Sequence, residues 1–121
     1  MRVIVYGRLN HTDAEAMLSQ INMLKRYCGK EGYVISSVVT EFSSGRKIGQ
    51  CLIGLLDNNN SRMDGVDAIV VRNFSCITRN YMNLLGFMEA LEEKKIRIIS
   101  LDEEVVEPAS ALWKLICKNI K

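Results

Sequence analysis

Four arginines stand beside the ends of predicted β-strands, and their side chains are well suited to binding an anion. Arg8 follows the first predicted strand, Arg46 follows the second, and Arg72 and Arg79 flank the end of the third. Guanidinium groups that converge from separate chain segments suit a phosphate or phosphodiester ligand. Each arginine taken singly is also explained as a solvated surface residue.

Hydrophobic spacing predicts the elements that place these arginines. Short apolar runs rich in β-branched residues predict strands at residues 3–6, 33–39, 66–71 and 96–101. Apolar residues at helical spacing predict a helix that Thr12 and Glu15 begin as a capping box and that Gly29 or Gly32 ends. Its apolar set comprises Ala14, Met17, Leu18, Ile21, Leu24 and Cys28.

Further helices are predicted at residues 48–56 and 78–94, and a last one begins near Pro108, since proline suits the first turn of a helix. Strands that alternate with helices predict an α/β fold, a mostly parallel sheet of four to five strands with helices on both faces. Ligands bind such sheets at the carboxyl ends of the strands. The loops of interest are therefore residues 7–13, 41–49, 72–77 and 102–107.

Length and composition describe one ordinary domain, residues 1–121. Hydrophobic residues make up 48% and charged residues 25%, and the net charge is +2, which argues for neither nucleic acid nor membrane by itself. No apolar run is long enough to span a bilayer, and no signal peptide is visible, so a soluble, cytoplasmic protein is expected. The four cysteines are scattered without a Cys-x-x-Cys pair, so we predict no metal. We also expect no cofactor.

Short motifs along the chain carry a family resemblance. Residues 6–10, Tyr-Gly-Arg-Leu-Asn, resemble the Tyr-x-Arg-x-Ser motif of the serine site-specific recombinases, the resolvase/invertase family. Gln20 resembles the family's glutamine in the first helix. The segments at 67–72, 78–80 and 98–103 are similar to the family's third strand, its arginine loop and its closing Ser-Leu-Asp-Glu. The resemblance covers roughly residues 1–115.

This resemblance implies a resolvase-like catalytic domain and a metal-free transesterification. In the family, a serine hydroxyl attacks a DNA phosphodiester while clustered arginines stabilise the charge that develops on the phosphoryl oxygens. Family members assemble through a long helix after the last strand and read DNA with a separate C-terminal domain. The resemblance thus implies DNA as a partner, and a homo-dimer or a hetero-oligomer with a related recombinase.

The site residues are carried over position by position, and the departures fall on the chemistry. Asn10 stands where the family has its nucleophilic serine, and Ser75-Cys76 stand where it has an Asp-Arg pair. We expect a catalytic site built from the positions of Asn10, Arg8, Arg79 and Gln20. The residues expected to bind DNA phosphate are Arg8, Arg46, Lys47, Arg72 and Arg79.

The sequence ends within the expected oligomerisation helix and shows no DNA-reading domain, so DNA binding is expected to be weak. Our first hypothesis is a serine recombinase-like domain in DNA recombination whose strand cleavage is lost, because an amide cannot serve as the nucleophile. The alternative is a non-enzymatic interaction or regulatory module on the same fold. A small-molecule or phosphate binder is a third class, although no Gly-x-Gly-x-x-Gly or Walker motif follows the first strand.

Overall fold

The computed structural model describes residues 1–44, 47–57, 61–102 and 105–108. Five strands and three helices alternate along most of this chain. The strands are β1 (Arg2–Leu9), β2 (Val34–Phe42), β3 (Ala68–Val71), β4 (Arg97–Ser100) and β5 (Val105–Pro108). The helices are α1 (Ala14–Glu31), α2 (Gln50–Leu55) and α3 (Tyr81–Glu93), with short 3-10 turns at Ser61–Met63 and Phe74–Cys76.

The strands form one sheet in the order β2-β1-β3-β4-β5. The first four are parallel, and β5 runs antiparallel to β4, which confirms the predicted mostly parallel α/β fold. The prediction of a helical first turn at Pro108 was wrong. Pro108 ends β5 opposite Arg97 on the sheet edge, a position where a missing backbone N–H is tolerated. The remainder of that predicted helix lies outside the described residues.

Alternate side chains of the central strands enter two cores, one on each face of the sheet. Val3, Val5, Val70 and their neighbours pack against the buried stripe of α1, formed by Met17, Ile21, Leu24 and Cys28. Ile4 and Ile69 belong to the other core, which also contains residues of α2 and α3. Since both faces of β1 and β3 are covered, residues 3–6 of β1 and all of β3 are apolar, which explains why these strands are recognisable in the sequence.

The start and the apolar stripe of α1 differ from the prediction. Asp13, and not Thr12, is the N-cap, because its backbone is extended and its side chain accepts a hydrogen bond from the Ala16 N–H at 3.0 Å. Leu18 is 61% exposed because it lies off the buried stripe, and Ala14, the first residue of the helix, is also exposed. Gly32 ends the helix with a left-handed backbone, as one of the two predicted glycines.

The other helices are shorter than their apolar patterns. α2 spans Gln50–Leu55 rather than residues 48–56. α3 begins at Tyr81 rather than near residue 78, because the side chain of Asn80 accepts from the Asn83 N–H at 3.2 Å and caps the helix there. Thr78 belongs to the preceding turn, in which its Oγ1 accepts from the Asn80 N–H at 3.1 Å.

β1 extends further than the predicted residues 3–6. It pairs with β2 along its whole length but with β3 only from Val3 to Val5, and its last three residues continue past the end of β3. Arg8 therefore lies within a strand and is buried, whereas the sequence analysis placed it in a loop. This extension carries β1 into the region where the neighbouring loops meet.

Candidate functional site

A cleft of about 250 Å³ opens at the carboxyl ends of β1 and β3. These two strands are neighbours in the sheet although β2 separates them in the chain, and parallel sheets bind ligands at such a point of reversal. Side chains from the ends of three strands, from α1 and from the segment before α3 line the cleft: Arg8, Leu9, Asn10, Gln20, Ser43, Arg72, Asn73, Ser75, Cys76 and Arg79.

Most of the predicted site residues meet in this cleft. The structure brings together Asn10, Arg8, Gln20, Arg72 and Arg79. Lys47 instead lines a neighbouring cavity of about 370 Å³ behind Arg8, and Arg46 lies outside the described residues. The sequence analysis missed Ser43 and Asn73, although both follow strands that end at this edge, which was the available signal.

The guanidinium of Arg8 is buried and fully engaged by protein acceptors. Its Nε donates to Ser43 Oγ at 3.1 Å. One terminal nitrogen, Nη1, donates to the carbonyls of Cys76 and Ile77 at 3.5 and 2.7 Å. The other, Nη2, donates to the carbonyls of Ser44 and Lys47. The five N–H groups of the side chain therefore have five protein partners.

Arg8 consequently ties the end of β1 to two loops, the one after β2 and the one after β3. No carboxylate among the described residues lies within 4.0 Å of its guanidinium, so carbonyl and hydroxyl dipoles stabilise this buried charge. Its positive charge still raises the potential of the cleft, but its donors are committed. In this arrangement Arg8 acts as a structural clamp.

Gln20 satisfies the backbone where β1 has passed the end of β3. Its Oε1 accepts from the Arg8 N–H at 3.0 Å, and its side chain is buried. Gly7 makes this contact possible, because a Cβ there would lie 2.6 Å from Ile21 Cδ1 and 3.1 Å from Gln20 Oε1. A glycine in the strand therefore lets α1 approach closely enough to supply the acceptor.

A buried polar cluster supports the cavity behind Arg8. The Tyr6 hydroxyl donates to Glu41 Oε2 at 2.6 Å, and the Cys51 N–H in α2 donates to Glu41 Oε1 at 3.1 Å. Burial, and the hydrogen bond and charge of Glu41, raise the pKa of Tyr6 well above its ordinary value. This cluster fixes the start of α2 against the end of β2.

The loop after β3 is held together by Asn73. Its Oδ1 accepts from Ser75 Oγ at 2.6 Å and from the Cys76 N–H at 3.1 Å, and its Nδ2 donates to Asp102 Oδ2 at 3.1 Å. The Cys76 thiol is buried below this turn, and burial raises its pKa. A raised pKa disfavours the thiolate, so Cys76 is a poor nucleophile.

Asn10 lies at the exposed rim of the cleft. Its Oδ1 is 2.8 Å from His11 Nδ1, and His11 Nε2 is 3.9 Å from Asp13 Oδ2. A side-chain amide can donate and accept hydrogen bonds, but it offers no hydroxyl or thiol for attack on phosphorus. The Asn10 side chain is therefore suited to binding and not to nucleophilic attack.

Two arginines keep their guanidinium groups accessible. Arg72 is half exposed, and its Nε lies 3.6 Å from Asp102 Oδ2. Arg79 is exposed and has no hydrogen-bond or ion-pair partner among the residues that the structure describes. Guanidinium groups on the rim of a polar cleft can bind the oxygens of a phosphate. The chemistry that the arrangement supports is anion binding.

Within the described parts of the chain, no three His, Cys, Asp or Glu side chains are grouped as metal ligands. Across those same residues, no helix has the length and apolar character needed to cross a bilayer.

Known proteins share this fold and sequence pattern. The family model described as "Resolvase, N terminal domain" matches residues 3–118. The N-terminal catalytic domain of TP901-1 integrase superposes with a TM-score of 0.76 at 22% identity, over 98% of this chain and 92% of that one. A resolvase family site-specific recombinase from Streptococcus pneumoniae gives 0.75 at 18% identity, over 99% and 90%.

A third structure, the C-terminal catalytic domain of ISC1926 TnpA, an IS607-like serine recombinase, gives a TM-score of 0.70 at 24% identity, over 84% of this chain and 69% of that one. No curated protein sequence matches this chain significantly. The fold and its cleft thus define a resolvase-like α/β domain. The chain belongs to the resolvase family of serine recombinases, as the resemblance of its motifs predicted.

Proposed function

We propose that this chain is a serine recombinase-like domain that binds phosphate groups of DNA in its cleft and has lost strand cleavage. The observation that carries the proposal is the position of Asn10. It follows the extended β1 at the rim of an arginine-containing cleft, where the family motif has its nucleophilic serine, and it presents an amide.

The remaining side chains of the cleft offer no replacement nucleophile among the described residues. The Cys76 thiol is buried with a raised pKa. The Ser75 hydroxyl donates to the neutral amide of Asn73, which cannot act as a base, and the Ser43 hydroxyl accepts from Arg8. An activated hydroxyl or thiol needs an adjacent base or a lowered pKa, and these groups have neither.

Phosphate binding is the property that the cleft retains. Arg72 and Arg79 line it with accessible guanidinium groups, and Arg8 adds a buried positive charge behind them. With a net charge of only +2, this chain has little general attraction for nucleic acid, so the local arrangement of charge must provide the affinity. A domain of this kind can regulate an active relative by pairing with it on DNA.

A non-enzymatic interaction module is the second candidate function. Apolar residues near the end of the sequence have the spacing of a helical seam for a partner, and they lie outside the residues that the structure describes: Leu112, Leu115, Ile116 and Ile120. Under this reading the chain assembles with a protein partner, and the cleft has no ligand. Light scattering at high protein concentration tests it, since a persistent monomer contradicts it.

The test of lost cleavage is a search for covalent protein–DNA adducts. The whole chain is fused to a sequence-specific DNA-binding domain and incubated with a nicked substrate that carries the matching site. We expect no adduct from the wild type or from Asn10→Ala. We expect a slow adduct from Asn10→Ser, because position 10 is exposed and accommodates serine without loss of packing.

An adduct formed by the wild type overturns the proposal. Absence of an adduct from Asn10→Ser leaves the loss of cleavage standing and assigns part of it to Ser75 and Cys76, which replace the family's Asp-Arg pair. Equal unfolding midpoints of the three proteins in urea show that the comparison concerns chemistry rather than folding.

A further inference from the structure

Asp102 is held beside Arg72 by the backbone of two neighbouring strands. Beyond the end of β4, the Leu101 N–H donates to the Val71 carbonyl at 3.1 Å, and the Asp102 N–H donates to the Arg72 carbonyl at 2.8 Å. These two bonds hold the segment after β4 against the end of β3 and the residue that follows it. The position of Asp102 relative to Arg72 is therefore fixed by the main chain and does not depend on their side chains.

The carboxylate of Asp102 contacts two residues of the cleft wall. Its Oδ2 accepts from Asn73 Nδ2 at 3.1 Å and lies 3.6 Å from Arg72 Nε. The side chains of Asp102 and Arg72 are 48% and 49% exposed. A negative charge thus stands next to one of the two arginines available to an anion.

The geometry decides whether this carboxylate helps or hinders anion binding. The separation of 3.6 Å between Arg72 Nε and Asp102 Oδ2 exceeds the usual 2.7–3.2 Å of an N–H···O hydrogen bond. Without such a bond, Asp102 has little power to hold the guanidinium in one orientation. Its charge acts regardless of geometry, because Coulomb interaction falls off slowly with distance. The Asp102 carboxylate therefore opposes anion binding by its charge more than it favours anion binding by orienting the Arg72 guanidinium.

We propose that Asp102 competes with the anion of the cleft for Arg72. By pairing with the Arg72 guanidinium, the Asp102 carboxylate sets how strongly the site binds a phosphate group. The inference rests on the proposed function and specifies the control of that same site. A phosphate that binds between Arg72 and Arg79 must take the place of the Asp102 carboxylate as the partner of Arg72.

The test measures binding of a fluorescent single-stranded oligonucleotide with a 5′ phosphate, by anisotropy, to the full chain. Asp102→Asn removes the charge and keeps an oxygen that can accept from Asn73. An exposed ion pair contributes about 0.2–1 kcal/mol. Converted at 1.4 kcal/mol per factor of ten, this predicts a Kd about 1.4- to fivefold lower for Asp102→Asn than for the wild type.

Asp64→Asn is the matched control. Asp64 is exposed, lies just before β3 at the opposite end of the sheet, and its substitution changes the net charge by the same amount. We expect the Kd of this variant to equal that of the wild type. A second comparison repeats Asp102→Asn in an Arg72→Ala background, where the gain in affinity should vanish, since Asp102 acts through Arg72.

The outcomes separate this inference from the proposed function. If Arg79→Ala weakens binding but Asp102→Asn leaves it unchanged or weakens it, the proposal that Asp102 competes with phosphate is wrong, and the proposed phosphate site is retained. The same proposal is overturned if Asp102→Asn gives an equal gain in affinity with and without Arg72, or if Asp64→Asn gives that gain as well. If Arg72→Ala and Arg79→Ala bind like the wild type, or if neither the wild type nor Asp102→Asn binds, both proposals fail.

Discussion

At the scale of the residue, Arg8 illustrates how the same side chain can take two roles according to where its donors point. The resemblance of its motif predicted a catalytic arginine at this position, and its burial at the end of β1 keeps it next to the cleft. Its five N–H groups are directed at one hydroxyl and four carbonyls of two loops. The positive charge raises the electrostatic potential of the cleft, and the hydrogen bonds tie the end of β1 to the two loops.

Replacing Arg8 should therefore destabilise the protein. Arg8→Ala leaves several buried carbonyls without a donor, and each unsatisfied buried group costs about 1–3 kcal/mol. We expect a loss of at least about 3 kcal/mol in the free energy of unfolding, measured by urea denaturation. Arg8→Lys keeps the charge without the planar fork and should lie between the two. The control, Arg79→Ala, should change stability by less than about 0.5 kcal/mol. A loss below about 1 kcal/mol for Arg8→Ala would contradict the clamp.

Tyr6 should make stability sensitive to alkaline pH. Because its pKa is raised in the folded state, the folded protein holds this proton more strongly than the unfolded chain does. Its contribution is complete below the ordinary pKa of 10 and is lost as the pH rises above that value. We expect the stability difference between wild type and Tyr6→Phe, largest at neutral pH, to shrink above pH 10. Urea unfolding across this range measures it, and a constant difference would refute the assignment.

At the scale of the element, the placement of α2 depends on the absence of a side chain at its start. Gly49 precedes the helix, and a Cβ there would collide with the Glu41 carboxylate and lie 2.6 Å from Tyr6 Oη. Both groups are buried and joined by a hydrogen bond, so neither can move aside without breaking it. The glycine is required here by close approach, since its φ of −62° is open to any residue.

Two glycine substitutions should accordingly have opposite effects on the stability of the protein. Gly49→Ala should destabilise the protein by about 1–3 kcal/mol, the usual effect of overpacking. Gly86→Ala should stabilise it by about 0.5–1 kcal/mol, because Gly86 lies in α3 with no atom within 4 Å of an added Cβ, and alanine is the better helix former. Thermal unfolding of both variants beside the wild type measures the difference. A neutral Gly49→Ala would show that Glu41 is free to move.

The elements also show which features the sequence could predict. Strands β1 and β3 are buried on both faces, so their apolar runs predicted them from the sequence. These two strands place Arg8, Asn10 and Arg72 at one edge of the sheet. The end of β1 could not be predicted from the sequence, because Gly7 and Arg8 are typical of a turn. Pairing with β2 and the tertiary contact with Gln20 together make the strand continue. The direction of the Arg8 donors depends on carbonyls up to 69 residues away, which no local pattern encodes.

At the scale of the whole molecule, the site follows from the order of the strands. Because β1 and β3 are adjacent while the chain between them passes through β2 and α2, their following loops diverge and leave a cleft. The Asp102 segment after β4 completes the wall through Asn73. Loops from four parallel strands thus contribute to one site, so the side chains of the cleft can vary while the sheet remains unchanged.

The central position of β1 has a consequence for the folding of the nascent chain. β1 precedes both of its sheet neighbours in the chain, and Val3 pairs with Ala68, so one edge of this apolar strand stays open until β3 has been synthesised. Arg2 and Arg8 flank its fully buried residues 3–6. Charged residues beside an apolar strand oppose aggregation. Until Ser43, Lys47 and Ile77 have been synthesised, Arg8 lacks its acceptors in the folded protein, so its charge is available to oppose aggregation of the strand that it later holds in the fold.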